Sequence, residues 1–116
     1  MHRGELGRFG EDVALKFLLK KGLKLKEKNF VARHKEIDLV MEGGGRIYFI
    51  EVKTRTTDVY GQPFESINRN KIKNIKIAAA NYIVKNRINK ECIFGVISIL
   101  YRSADNITIE FFEDTF

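Results

Sequence analysis

Residues 35–53 read KEIDLVMEGGGRIYFIEVK, which is two apolar segments joined by three glycines. Both segments have the length and the β-branched and aromatic content of strands, and glycines suit a tight turn, so the stretch predicts a β-hairpin. Acids are depleted in strands, yet Glu36, Asp38 and Glu51 stand in these two. The hairpin therefore predicts part of a sheet and also a chemical use for its charges.

The length of the turn decides which charges face each other. A two-residue loop at positions 44–45 places Asp38 opposite Glu51 and Glu36 opposite Lys53, whereas a three-residue loop without a bulge would separate them. In the aligned register the two carboxylates have β-carbons about 5 Å apart, which destabilises an ordinary sheet. A divalent cation would turn that repulsion into attraction.

The residue types favour Mg²⁺, a hard ion that takes a few carboxylates and keeps several waters for substrate phosphates. Asp38, Glu51 and the carbonyl of Val52 match this preference, and Lys53 on the Glu51 face would orient a water or stabilise charge on phosphate oxygens. A solvated charged face is the alternative. A transition-metal site with His34 on the Asp38 face is a weaker one, because a lone strand histidine is more often a surface residue.

Around the hairpin, hydrophobic periodicity predicts an α/β fold of order αβββαββ, a mixed sheet with helices packed on it. The near-continuous apolar run 92–101 indicates a central strand, parallel to the second hairpin strand. The predicted elements are a helix over 5–19 closed by Gly22, an edge strand over 23–30, the hairpin, a loop over 54–65, a helix from 66 or 68 to 85, and strands over 92–101 and 107–112.

Composition limits the class of protein. The chain has 116 residues, 44% of them hydrophobic, and a net charge of +6, which predicts one globular domain, residues 1–116, and favours a polyanionic partner. Its one cysteine, Cys92, has no disulfide partner. The N-terminus lacks an apolar signal segment, and the apolar run at Cys92 is too short to cross a bilayer. We therefore expect a cytoplasmic protein without a membrane partner.

Cations crowd the start of the second predicted helix, where they oppose the helix dipole. Positive side chains together with free helix N–H groups favour anions, so we expect Arg69 and Lys71 to contact phosphates, with Arg55 at the end of the preceding strand. Lys73 is a weaker candidate. Gln62 in the intervening loop would bridge a phosphate or a water.

Several motifs together resemble the YraN-like family of proposed bacterial endonucleases, within the PD-(D/E)XK nuclease superfamily and similar to archaeal Holliday-junction resolvases. The resemblance runs from Gly4 to about Leu100. Its motifs are Gly7-x-x-Gly10-Glu11-x-x-Ala14, Glu36-Ile37-Asp38-Leu39-Val40, Ile50-Glu51-Val52-Lys53-Thr54-Arg55, and Lys71 with Ala79-x-x-Tyr82.

The resemblance implies a restriction-endonuclease-like fold and cleavage of DNA phosphodiesters, including those of branched DNA, with Mg²⁺ or Mn²⁺. Asp38 and Glu51 would be metal ligands, Lys53 the catalytic lysine, and Glu11 an acid brought to the site by the first helix. A homodimer would suit a resolvase. Two alternatives stay open: a nucleic-acid-binding module that needs a partner to cleave, and an interaction domain whose acids are solvated.

Overall fold

The computed structural model of the chain describes residues 2–56 and 68–116. In chain order the elements are α1 (Arg3–Lys20), β1 (Lys24–Ala32), β2 (Lys35–Gly43), β3 (Arg46–Arg55), α2 (Arg69–Lys85), β4 (Glu91–Ser103) and β5 (Asn106–Glu113). The order αβββαββ is therefore the predicted one. Most of the predicted 54–65 loop, including Gln62, lies outside the described residues.

The five strands form one mixed sheet in the order β1-β2-β3-β4-β5. Strands β1 to β3 are antiparallel to one another, β3 and β4 are parallel, and β5 is antiparallel to β4. This confirms the α/β class, the edge position of β1 and the parallel arrangement of β3 and β4, and it is consistent with the restriction-endonuclease-like fold that the resemblance implies.

The helices cover opposite faces of the sheet. Ala14 and Leu18 of α1 pack with Leu39, Met41 and residues of β4 in one hydrophobic cluster. In α2 the buried residues recur at helical spacing, Ile75, Ala78, Ala79 and Tyr82, and they pack with Phe49 of β3 in a second cluster. Residues 47–50 of β3 contribute alternately to the two clusters and are all buried. Glu51 and Lys53 therefore lie just beyond the apolar part of β3.

The helix ends follow from local chemistry. Gly22 has a φ of 93°, and the N–H groups of Gly22 and Leu23 bond to the carbonyls of Leu19 and Leu18, which is a Schellman cap. The predicted role of Gly22 is thus confirmed. The Asn68 side chain accepts a hydrogen bond from the Lys71 N–H and begins α2. Neither described helix is long and apolar enough to cross a membrane.

Candidate active site

A cavity of about 410 Å³ opens where β3 emerges from the core. Its walls come from α1, β2 and β3, and they hold Glu11, Asp38, Glu51 and Lys53, together with Leu6, Gly7, Val52 and Thr54. All four side chains predicted to be catalytic thus line one cavity. The described lining of another cavity, of about 480 Å³ along α2, is apolar and basic and contains no carboxylate, so its chemistry does not suit a metal.

The hairpin has the predicted two-residue turn. Gly43 pairs with Arg46 and the register continues to Leu39 and Ile50, while Gly44 has a φ of 58° and Gly45 of 76°, as a type I′ turn requires. Among the described residues of this hairpin the ladder ends at Leu39 and Ile50. The expected ladder pairs of Asp38 with Glu51 and Glu36 with Lys53 do not form.

The strands separate at this point because a side chain takes the place of a backbone partner. The Val52 N–H donates to Oδ2 of Asp38 at 2.8 Å. In a continued ladder that N–H would bond to the backbone of β2, since hydrogen-bonded and non-bonded pairs alternate. The Asp38 carboxylate therefore lies in the gap between β2 and β3, where it lines the cavity.

A change of face in the outer two strands directs the acids of β2 toward α1. Residues two apart in a strand normally share a face, but Lys28 lies 3.6 Å from Asp12 of α1 whereas Phe30 packs under α2. The partner strand changes in the same way, with Leu39 on the α1 side and Ile37 on the α2 side. The change falls at Asn29, which has a φ of 49° within β1.

On the α1 side this irregularity brings together three acids. Carboxylate oxygens of Glu11, Glu36 and Asp38 all lie within 4.8 Å of one another. The amide of Asn29 donates to Glu11 Oε1 at 3.1 Å and to Glu36 Oε1 at 2.9 Å. Glu36 was predicted to face Lys53, and the structure instead groups it with Glu11 and Asn29.

On the other side of the gap, Glu51 is 4% exposed. Its Oε1 lies 3.2 Å from the Lys71 ammonium and 3.8 Å from that of Lys53. Its Oε2 is buried without a hydrogen-bond partner among the described residues, and such an atom normally costs about 1–3 kcal/mol of unfolding free energy or more. A bound cation would satisfy it.

The electrostatics of Asp38 lead to the same inference. Burial and the negative charge of Glu51 raise the pKa of Asp38 to about 8, against the opposing hydrogen bond from Val52. A nearby divalent cation would reverse both effects, because it favours the carboxylate form. The carboxylates of Asp38 and Glu51 and the backbone carbonyl of Val52 are hard oxygen donors, so the residues present fit Mg²⁺ or Mn²⁺.

Lys71 makes a contact that the sequence did not predict. Its ammonium lies 3.2 Å from Oε1 of Glu51, and its predicted phosphate contact stays a prediction. Burial lowers its pKa, but Glu51, Asp38 and Glu36 together outweigh burial and place the pKa above its usual value, so Lys71 stays a cation. It is the second lysine at Glu51.

Two further predicted phosphate contacts are Arg55 and Arg69. Arg55 ends β3 and is partly buried, and Arg69 is exposed in the first turn of α2. Arg69 and the weaker candidate Lys73, which is also exposed, line the other cavity, along α2. Their phosphate contacts remain predictions.

The proposed strand position of His34 is wrong. Arg33 and His34 both have positive φ and form the turn between β1 and β2, so His34 does not share the face of Asp38.

Helix α1 approaches β3 closely because it has no side chain at Gly10. Gly10 is buried, and a β-carbon there would overlap the Thr54 side chain. Glu11 follows directly and reaches Asn29. The glycine thus sets the distance at which α1 presents its acid to the cavity.

Sequence reasoning did not assign roles to Asn29 and Glu36, and it assigned Lys71 to phosphate alone. An asparagine within a strand, where that residue type is depleted, was a usable signal for an irregular position at Asn29. The contact of Lys71 with Glu51 joins residues 20 positions apart across an undescribed segment, and no local pattern predicts it.

Comparison with known proteins gives one family. The model of UPF0102, described as an uncharacterised protein family, matches residues 10–99. The chain is 45% identical over 97 residues to a UPF0102 protein of Syntrophomonas wolfei, covering 83% of this chain and 84% of that protein. It is 34% identical over 112 residues to one of Flavobacterium psychrophilum (97% and 93% covered), and 39% identical over 112 residues to one of Thermodesulfovibrio yellowstonii (97% and 100% covered).

Proposed function

The chain belongs to UPF0102, the YraN family, and from this premise we propose that it is a metal-dependent endonuclease that hydrolyses phosphodiester bonds of DNA. The observation that carries the proposal is the buried Glu51 carboxylate, one oxygen of which has no hydrogen-bond partner among the described residues. Beside it, burial and the Glu51 charge raise the pKa of Asp38. Such a pair is unfavourable in a structural role. It becomes favourable when a divalent cation joins the two side chains.

Asp38, Glu51 and the Val52 carbonyl would hold Mg²⁺ or Mn²⁺. When bound, the ion would neutralise charge on the phosphate and make a water a better nucleophile. Glu11 would orient that water from the α1 side of the cavity. Lys53 lines the same cavity and would stabilise the negative charge that gathers on the phosphate oxygens.

The cations around the cavity would hold the substrate. Lys71 stays protonated, and it would bind a phosphate next to the one under attack, with Arg55 and Arg69 on neighbouring phosphates. The net charge of +6 supports a polyanionic partner,. A preference for branched DNA and a homodimer follow from the family resemblance and belong to the same proposal.

A non-cleaving nucleic-acid-binding module is the second candidate, favoured by the basic start of α2, where the first turn contains no acid. Such a module would bind DNA without using Asp38. The proposed nuclease would lose cleavage with Asp38→Asn and keep DNA binding, so binding alone does not separate the two candidates.

The deciding experiment measures cleavage of linear and four-way branched DNA with Mn²⁺ and with EDTA. The wild type should cleave only with metal, whereas Asp38→Asn and Glu51→Gln should be inactive. Lys53→Ala should lose about 10²–10³ in rate, as removal of a group that stabilises the transition-state charge does, while it still binds Mn²⁺. Glu91→Gln, an exposed acid at the opposite end of β3 and β4, is the matched control. Cleavage that persists in Asp38→Asn would refute the assignment.

A further inference from the structure

We infer that Asn29 is a positioning residue that holds Glu11 and Glu36 at the metal-binding acids, an inference that rests on the proposed function. Asn29 carries no charge and touches neither Asp38 nor Glu51 through any described hydrogen bond. Its position is nevertheless between two acids that belong to different elements, α1 and β2. It acts on the cavity through them.

The amide of Asn29 is suited to this position by its two N–H groups. One bond runs to Glu11 at 3.1 Å and the other to Glu36 at 2.9 Å. Both acceptors are carboxylates, and hydrogen bonds to charged acceptors are stronger than those between neutral groups. A single side chain therefore links helix α1 to strand β2 beside the cavity.

The backbone conformation of Asn29 also helps to place these acids. A φ of 49° is unfavourable for most residues, and Asn is among the few that tolerate it. At this residue β1 changes the face to which its side chains point, and β2 changes face opposite it. Leu39 lies on the α1 side, so regular alternation in β2 would point both Glu36 and Asp38 away from α1.

The Asn29 amide keeps Glu11 and Glu36 near Asp38 against electrostatic repulsion. Carboxylate oxygens of Glu11, Glu36 and Asp38 lie within 4.8 Å of one another, so Glu11 and Glu36 repel each other and, when Asp38 is ionised, are repelled by it as well. Glu36 is exposed enough to turn into solvent. Without the Asn29 donors, Glu11 and Glu36 would turn away from Asp38. The protein would then have to bring them back whenever a cation binds, so the affinity for that cation would fall.

The test compares Asn29→Gly with Asn29→Ala, using Mn²⁺ affinity, the Mn²⁺ concentration for half-maximal cleavage, and melting in EDTA. Both variants lack the amide, but only glycine adopts a positive φ without strain. We expect both to bind Mn²⁺ about tenfold more weakly, as loss of an outer-shell partner does. Only Asn29→Ala should melt clearly lower. At saturating Mn²⁺ both should recover most of the wild-type cleavage rate.

Two controls separate the amide from general damage. Arg87→Gly relieves another positive φ, of 51°, and should leave Mn²⁺ affinity unchanged. In a Glu11→Ala/Glu36→Ala background the Asn29→Gly change should have no further effect, because the acceptors through which the amide acts are already absent.

The outcomes distinguish this inference from the proposed function. Wild-type protein that neither binds Mn²⁺ nor cleaves DNA overturns both. Wild-type protein that binds Mn²⁺ or cleaves, together with an Asn29→Gly variant of equal Mn²⁺ affinity, overturns the role of Asn29 alone. Loss of affinity in Asn29→Ala but not in Asn29→Gly would assign the residue to backbone shape only.

Discussion

At the residue scale, the site depends on a few side chains that lower the stability of the folded protein when no ligand is bound. Asp38 accepts a hydrogen bond from a backbone N–H that a strand partner would otherwise use, and Glu51 buries an oxygen that has no partner in the part of the chain that the structure describes. The sequence predicted these two acids and Lys53, because acids in an apolar hairpin contradict strand preferences. It did not predict the partners of Glu51 on the second helix, which depend on the folded chain.

The raised pKa of Asp38 predicts a pH dependence. Its value of about 8 lies above the ordinary 3.8, so the folded state binds the proton more tightly than the unfolded state does. The resulting stabilisation is complete below pH 4 and is lost as the pH rises toward 8. In EDTA, the wild type should therefore lose unfolding free energy relative to Asp38→Asn between pH 5 and pH 8.5.

We expect that relative loss to exceed about 1.4 kcal/mol, the equivalent of a tenfold change in proton affinity. Urea unfolding at the two pH values measures it. Parallel changes in both proteins would mean that the Asp38 carboxyl titrates normally.

At the element scale, turns and helix ends were predictable and the change of face in β1 was not. Gly44 and Gly45 define the hairpin turn, and Gly22 ends α1, since each position needs a positive φ. Regular alternation would put Lys28 and Phe30 on one face of the sheet. Asn29 interrupts it, so Lys28 lies on the α1 side and Phe30 is buried on the α2 side, while Val31 is 58% exposed.

The closeness of α1 to β3 gives a prediction with a matched control. Alanine is a better helix former than glycine by about 1 kcal/mol. At Gly7 a new β-carbon would meet no described atom within 4 Å outside the adjoining backbone of α1, so Gly7→Ala should keep or raise the melting temperature. Gly10→Ala should instead destabilise by about 1–3 kcal/mol, because the overlap with Thr54 outweighs the propensity. Thermal unfolding of both variants checks this, and equal melting temperatures would contradict the close approach.

The start of α2 gives a second prediction at this scale. In metal-free protein Lys71 is paired with Glu51, so part of its charge is unavailable to DNA. A cation on Glu51 would release it. Lys71→Ala should therefore reduce the salt dependence of DNA binding by about one unit with Ca²⁺ and by less in EDTA. Fluorescence anisotropy against salt concentration measures both slopes, with Lys85→Ala at the other end of α2 as the control.

An equal decrease under the two conditions would leave Lys71 as a simple phosphate contact, and no decrease in either would remove it from the DNA-binding surface.

At the scale of the whole molecule, stability and function oppose each other at the cavity. The hydrophobic clusters on the two faces of the sheet stabilise a fold that holds acidic side chains together where β2 and β3 separate. The element order, the edge position of β1 and the parallel arrangement of β3 and β4 follow from hydrophobic periodicity in the sequence. The arrangement of the acids does not, because it depends on where β2 and β3 separate.

A bound metal ion should make the grouped acids stabilise the folded protein instead of destabilising it. An ion that binds only the folded protein adds about 2.7 kcal/mol at a hundredfold excess over its Kd, so Mn²⁺ should raise the melting temperature of the wild type. Asp38→Asn should lose most of that increase and, in EDTA near pH 8.5, should melt no lower than the wild type. If saturating Mn²⁺ stabilised both proteins equally, Asp38 would not be a principal ligand.

As an edge strand, β1 should open before the central strands of the sheet do. In the sheet β1 has one neighbouring strand, β2, and edge elements open locally at lower free energy than central ones. Asn29 lies on that strand, so local opening of β1 would release Glu11 and Glu36 while β3 and β4 remain folded. Amide hydrogen exchange in β1 would then report the order of the acids, which a global melting curve cannot resolve. The working geometry would be lost before the fold.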